Sequence, residues 1–272
     1  MYATQENKDA SGVLRSSYLT GPEGTAITRD DADASQPYKS VTEIYDNVGN
    51  LQGSVSLWDD GSKDLYEADT QNEHAWLFYQ RHVDVNGNIA REYVKWDDGT
   101  STHVQREFGP GGTTQVVSNF TATGALATQE ATFPDGRSEH YQHDVLGDQP
   151  WSIQFTVRDA DGVIIRQGTR GDDGAFAING AAGSDTLTGS AGNDVLRGDA
   201  GSDTLDGGTG ADITDGGLGD DIHYVDTIDD VVLEATGEGR DRVYTSANFN
   251  LRTGVEVGFS LSPIRLEQIP ST

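Results

Sequence analysis

The chain has 272 residues, with 45 acidic against 18 basic side chains, a formal net charge of −27, 34 glycines and no cysteine. Such a charge repels nucleic acid and anionic membranes and favours cations, while the absence of cysteine excludes disulfides and thiolate-bound metals, leaving an oxygen-ligated ion as the available staple. No stretch approaches the roughly 18 consecutive apolar residues of a membrane span, and the opening MYATQENKDA has neither the basic start nor the apolar core of a cleaved secretion signal.

From the N-terminus the chain repeats with paired glycines: Gly12 and Gly24, Gly49 and Gly61, Gly87 and Gly99, Gly124 and Gly136, Gly162 and Gly174. The members of each pair lie 12 apart, and successive pairs lie 37 or 38 apart. The first glycine stands in a polar turn, as in YDNVGNL at 45–51, VDVNGNI at 83–89, FTATGAL at 120–126 and RDADGVI at 158–164. The second stands in WDDGS at 58–62, WDDGT at 96–100, FPDGR at 133–137 and GDDGA at 171–175. Asn-Gly and Asp-Gly steps supply the positive φ of tight reversals. The runs between them alternate, with Trp151, Ile153, Phe155 and Val157 on one face and Ser152, Gln154, Thr156 and Arg158 on the other, which is strand periodicity.

Each copy therefore reads as strand, DxxG turn, strand, DDG turn, strand, and five copies predict an antiparallel β-meander over residues 1–177. Two departures stand out. Thr113 and Thr114 occupy the place where other copies put Tyr38, Trp76 and Trp151, and the first copy begins almost at Met1 without a leading strand, as in a piece of a longer chain. The pattern resembles the tyrosine-aspartate (YD or Rhs-like) repeats that accompany calcium-binding repeats in large bacterial secreted proteins, over roughly residues 9–177.

From residue 180 the period changes to nine. The units are GAAGSDTLT at 180–188, GSAGNDVLR at 189–197, GDAGSDTLD at 198–206, GGTGADITD at 207–215 and GGLGDDIHY at 216–224. They match G-G-x-G-x-D-x-U-x, where U is a large apolar residue, and so resemble the repeats-in-toxin (RTX, haemolysin-type) calcium-binding proteins. Six residues of turn and three of strand, taken twice, make an eighteen-residue coil, and five units make two and a half coils of a parallel β-roll.

The fourth-position glycines free the turn backbone, and the sixth position places one carboxylate per turn at Asp185, Asp194, Asp203, Asp212 and Asp221. Because successive units alternate sides, Asp185 stacks with Asp203 and Asp221, and Asp194 with Asp212. An ion between stacked turns collects these carboxylates together with turn carbonyls, expected at Gly180 and Ala182, Gly189 and Ala191, Gly198 and Ala200, Gly207 and Thr209, and Gly216 and Leu218. Six or more oxygens suit Ca²⁺ and not Zn²⁺.

Leu187, Leu196 and Leu205 fill the core between the sheets, whereas Thr214 and His223 replace that apolar residue, so the last two units should be looser and Asp221 should lie at a frayed end. Residues 180–230 hold twelve aspartates and one base, Arg197. Stacked carboxylates repel by up to about 4 kcal/mol at an effective dielectric of about 20, so folding of the roll is expected to require calcium. Asp199, Asp206, Asp215 and Asp220 are outer ligands or plain charge.

The segment at 225–256 resembles the one that commonly follows such repeats, with Asp226, Asp230, Glu234, Asp241 and Glu256 in the usual places, and the resemblance implies that 226–272 extends or caps the roll. The closing SLSPIRLEQIPST is not a recognisable type I secretion tail. Neither HExxH nor GxSxG occurs. His140 and His143 face opposite sides of a strand and make a poor metal pair. Lyase or epimerase chemistry at a sugar acid could draw on Arg137, His140, Tyr141 and His143, or on Arg81 with His82; exposed polar positions are the plainer reading.

The sequence thus predicts an all-β protein: a meander at 1–177, a calcium-binding roll at 178–225 and a capping segment at 226–272. The expected role is a secreted calcium-dependent structural or adhesive module without catalytic residues, exported by a type I route, whose partners are Ca²⁺ and, as a candidate, a polysaccharide or cell-surface ligand. A carbohydrate-active enzyme or its substrate-binding module is the alternative.

Overall fold

Positive-φ glycines reverse the chain at the places that the long period marks: Gly49 at +93°, Gly87 at +88° and Gly162 at +82°. At each of these reversals an aspartate three residues earlier closes the turn. Asp46 Oδ1 accepts the amides of Val48 (3.0 Å) and Asn50 (2.8 Å), and Asp84 Oδ1 those of Asn86 (2.9 Å) and Asn88 (2.8 Å). Asp159 does the same with Asp161 and Val163. In the turns around the second glycine of the later pairs, the aspartate just before the glycine caps the residue two further on, at Asp60, Asp98, Asp135 and Asp173.

The structure, a computed structural model, describes residues 3–31, 38–235, 237–246 and the backbone of 265–268. Two compact units, Met1–Pro134 and Asp135–Thr272, make up the chain. No helix occurs among the described residues, and none is long and apolar enough to cross a membrane.

The first unit begins with β1 (Ala3–Lys8), β2 (Leu14–Gly21), β3 (Gly24–Asp30), β4 (Tyr38–Tyr45), β5 (Leu51–Trp58) and β6 (Lys63–Ala68). It continues with β7 (Trp76–Val83), β8 (Ile89–Trp96), β9 (Ser101–Gly109), β10 (Gly112–Phe120) and β11 (Leu126–Thr132). Each strand pairs antiparallel with the next. The expectation that the first copy lacks its leading strand is therefore corrected: β1 supplies it, paired with β2 along its whole length. Where Thr113 and Thr114 break the aromatic pattern, the loop has shrunk to Pro110 and Gly111, and β9 and β10 pair without a bulge from Gly109↔Gly112 to Ser101↔Phe120.

Ala131 is the one buried apolar side chain, still 9% exposed, among the described residues of this unit. Its cohesion comes from ladder hydrogen bonds and from cross-strand side-chain pairs. A row of rings crosses five strands, from Tyr66 to Phe78 (5.7 Å), Tyr93 (5.5 Å), His103 (4.5 Å) and Phe120 (4.5 Å).

The second unit opens with four more antiparallel strands, β12 (Ser138–His143), β13 (Trp151–Arg158), β14 (Ile164–Gly171) and β15 (Phe176–Ala182). The chain then winds as a parallel roll through β16 (Thr186–Ser190), β17 (Val195–Ala200), β18 (Thr204–Gly208), β19 (Ile213–Asp215), β20 (Ile222–Val225), β21 (Val231–Leu233), β22 (Arg242–Thr245) and β23 (Arg265–Gln268). One sheet stacks β15, β17, β19 and β21, and the other stacks β16, β18, β20, β22 and β23, all parallel.

The roll is longer than two and a half coils: it makes about four turns over residues 177–245. It starts half a coil early because β15 serves twice, antiparallel to β14 and parallel to β17. It runs on past residue 225 because Val232 and Val243 occupy the inward position of a nonapeptide unit although the glycines are missing. The core is a cluster of Ile178, Leu187, Leu196 and Leu205, followed by a second cluster of Val225, Val232 and Val243. Burying each such side chain contributes about 1.5–3 kcal/mol.

Candidate metal centre

A strand of three residues cannot hold its turn in place, and in this roll the sixth-position carboxylates do so. Each Oδ1 accepts the amide of the residue at the same place one coil earlier. On one side Asp203 accepts from Asp185 (2.8 Å), Asp221 from Asp203 (2.7 Å) and Asp241 from Asp221 (3.0 Å). On the other, Asp194 accepts from Phe176, Asp212 from Asp194 (2.8 Å) and Asp230 from Asp212 (3.0 Å). Alternate-side stacking of Asp185, Asp203 and Asp221, and of Asp194 and Asp212, is thus what the structure contains, with Asp241 and Asp230 continuing the two ladders. Asp221 is accordingly interior to its ladder and fully buried, not at a frayed end.

At Asp185, Asp194 and Asp230 the second oxygen accepts an amide within its own turn, but at two residues it is left over. Asp203 Oδ2 and Asp221 Oδ2 are buried without a hydrogen-bond partner. These oxygens explain the glycine at the first position of each unit. A Cβ on Gly198 would stand 2.2 Å from Asp203 Oδ2 and 2.5 Å from the carbonyl of Gly216. On Gly180 it would meet Asp185 Oδ2 at 2.6 Å and the Gly198 carbonyl at 2.7 Å, and on Gly189 it would meet the Gly207 carbonyl at 2.3 Å and Asp194 Oδ2 at 2.4 Å. On Gly207 it would meet Asp212 Oδ2 at 2.3 Å. Each cradle therefore gathers a carboxylate oxygen and, in three of these four, a carbonyl from the neighbouring coil. Among the third positions, Ala182 pairs with Ala200 and Ala200 with Leu218. The carbonyls of Ala200 and Leu218 each accept one amide, from Gly183 and Gly201, which leaves each a second lone pair. Ala191 and Thr209 lie in exposed turns.

Burial raises the carboxyl pKa of Asp203 and Asp212, and it pushes Asp221 up to about 6, with the charges of Asp203 and Asp241 adding to the effect. Buried carboxylates stacked on like charge, with unsatisfied oxygens in an oxygen-only donor set, fit a hard divalent cation. The outer aspartates have local work instead. Asp206 caps Gly208, Asp220 accepts the Arg240 amide, and Asp215 lies 3.8 Å from Arg197.

The two substitutions that seemed to weaken the roll form a buried polar layer. Thr214 and His223 are 3% and 0% exposed. Thr214 Oγ1 lies 2.8 Å from His223 Nδ1, and His223 Nε2 lies 2.6 Å from Glu234 Oε1. Burial lowers the His223 pKa to about 4, and burial together with Asp241 and Asp221 raises that of Glu234 to about 9. The expectation of looseness is corrected, since hydrogen bonds replace the missing leucines. Glu234 could have been read as significant from its spacing, because it stands where the next coil after Gly216 would place its first glycine. Glu256 lies outside the described residues.

The residues considered for sugar-acid chemistry are engaged within the meander. Arg137 and Tyr141 both bond Glu139, at 2.7 and 2.9 Å, and His82 Nδ1 lies 2.7 Å from Asp64. Arg81 and His82 line a concavity of the first unit beside Glu92, Tyr93 and His103. His140 is exposed while His143 shares the half-buried face of Tyr141.

A parallel β-roll whose coils are tied by two carboxylate ladders is a cation-binding fold. Residues 177–205 and 188–222 match the RTX calcium-binding nonapeptide repeat in four copies, so the roll carries an array of RTX calcium-binding repeats. No curated protein matches the chain.

Proposed function

We propose that this chain is a secreted structural or adhesive module in which calcium drives folding of the roll, with the functional boundary near residue 177. The ligands would be the carboxylates of Asp185, Asp194, Asp203, Asp212 and Asp221, joined by carbonyls at the first and third positions of the turns. The observation that carries this reading is the pair of buried, unpartnered oxygens, Asp203 Oδ2 and Asp221 Oδ2, set in ladders of like charge. Without a cation these groups oppose the fold; with one they become its staple.

RTX proteins are typically secreted by type I systems, and a calcium-dependent roll suits export through a calcium-poor cytosol as an unfolded chain. The low content of buried apolar residues in the meander favours an extracellular scaffold over an enclosed catalytic site. Circular dichroism of the full chain in chelator, in millimolar Ca²⁺ and in millimolar Mg²⁺ tests the reading. Calcium alone should add β signal, because Mg²⁺ requires a tighter octahedron; equal signal in chelator and calcium would refute it.

A further inference from the structure

Strand pairing sets Tyr66, Tyr93, His103 and Phe120 on one face of the first unit. Tyr66 pairs with Gln80, Gln80 with Tyr93, Tyr93 with His103, and His103 with Ser118, two residues before Phe120; cross-strand partners share a face, and so do residues two apart on a strand. With Phe78 these rings form the row whose centroids lie 4.5–5.7 Å apart, one ring per strand. The four line a concavity of about 740 Å³, within the range of about 300–1,000 Å³ common for ligand sites. His103 is exposed and the other three are half-buried.

Polar side chains with no partner of their own stand between the rings. Gln80, Arg91, Gln105 and Glu107 line the same concavity, are exposed, and make no side-chain hydrogen bond or ion pair among the described residues. The other charged groups there are engaged: Asp64 with His82, Arg81 with Glu67, and Glu92 with Arg106. One guanidinium and one carboxylate therefore remain free, and burial lowers the His103 pKa, which leaves that ring uncharged at neutral pH.

An almost neutral floor on a chain of formal charge −27 argues against both kinds of charged polymer. A polyanion is repelled by the molecule as a whole, and a polycation finds stronger partners among the aspartates of the roll. An apolar peptide would cover the four polar side chains without pairing them, at a cost for each. A sugar ring answers both halves of the surface. Its C–H face packs on an aromatic ring, and its hydroxyls donate and accept at once, which amide, guanidinium and carboxylate neighbours together require. A row with one ring per strand matches a chain of sugars laid across the strands.

We propose that this face of the meander binds a neutral glycan chain, with Tyr66, Tyr93, His103 and Phe120 as the stacking platform and Gln80, Arg91, Gln105 and Glu107 as partners of the hydroxyls. The inference names a partner for the adhesive role proposed above and draws on no residue of the roll, so glycan binding and calcium binding can fail independently.

The test is affinity electrophoresis of the full chain in millimolar Ca²⁺ through gels holding dextran, laminarin, mannan or galactomannan, with alginate as the anionic control. At least one neutral polysaccharide should retard the chain and alginate should not. Tyr93→Ala should weaken that retardation about tenfold, Tyr93→Phe, which keeps a ring, should preserve it, and Gln105→Ala should weaken it several-fold. If Tyr93→Ala lacks the wild-type β signal, Gln105→Ala and Arg91→Ala, both at exposed side chains, decide by the same criterion. No retardation by any of the four, a preference for alginate, or retardation that survives the alanine variants overturns the proposal. A chain that no glycan retards but whose circular dichroism still responds to calcium would sink the groove and leave the calcium reading intact.

Discussion

At the scale of single residues, the two oxygens of each ladder aspartate have different duties. At Asp203 and Asp221, Oδ1 ties one coil to the next while Oδ2 is buried without a hydrogen-bond partner. Asp203 and Asp221 both have ladder neighbours above and below, whereas Asp185 is only half-buried and opens its ladder. Asp203→Ala and Asp221→Ala should therefore raise the calcium midpoint to a similar extent, about tenfold or ~1.4 kcal/mol, and Asp185→Ala by clearly less, as followed by circular dichroism. An effect of Asp221→Ala well below that of Asp203→Ala would mean that Asp241 does not continue the ladder in solution.

Protonation gives a second check. Asp221 has its pKa raised from 3.8 to about 6 in the folded chain, so the folded state holds this proton more tightly than the unfolded state. The calcium-free roll should thus gain stability as pH falls through 6 towards 4, and calcium, which must displace the proton, should bind more weakly over the same window. Titrations at pH 7.5 and 5.5 with identical calcium midpoints would contradict the assignment.

At the scale of elements, glycines with different burdens separate the two halves of the fold. Gly198 sits where a Cβ would collide with Asp203 Oδ2 and the Gly216 carbonyl, so Gly198→Ala should abolish or strongly weaken calcium-dependent folding. Gly49 has open space around it but a φ of +93°. Gly49→Ala should cost about 1 kcal/mol of meander stability and leave the calcium midpoint unchanged, as read by thermal melts and calcium titration of both variants.

The meander and the nonapeptide array were legible because their turn residues act locally: an aspartate two to four residues from the amide it caps leaves its mark on the sequence itself. β1 escaped notice because ATQENK carries no apolar alternation and is exposed throughout; only its pairing with β2 makes it a strand. The extra coils were hidden for related reasons. Phe176 stands in the aspartate position at the start of the roll, and two additional residues place Asp241 twenty, not eighteen, residues after Asp221. The role of Glu234 depends on His223 eleven residues away across the roll interior, which no local pattern reports.

At the scale of the whole molecule, the two modes of folding draw on different sources of stability. The meander is held by capped turns, ladders and ring pairs, and the roll by carboxylate ladders that, on the proposed reading, require calcium. β15 links the two modes within its own unit, since its pairing with β14 presents a formed strand on which β17 can stack. On the proposed reading calcium would then complete a structure already begun, coil by coil. Limited proteolysis of the full chain, with cut sites located by mass spectrometry, tests this account most directly. In chelator, cuts should fall between residues 177 and 246 while a fragment ending near residue 175 survives, and millimolar Ca²⁺ should suppress those cuts. The same cutting pattern within 177–246 in chelator and in calcium would contradict it.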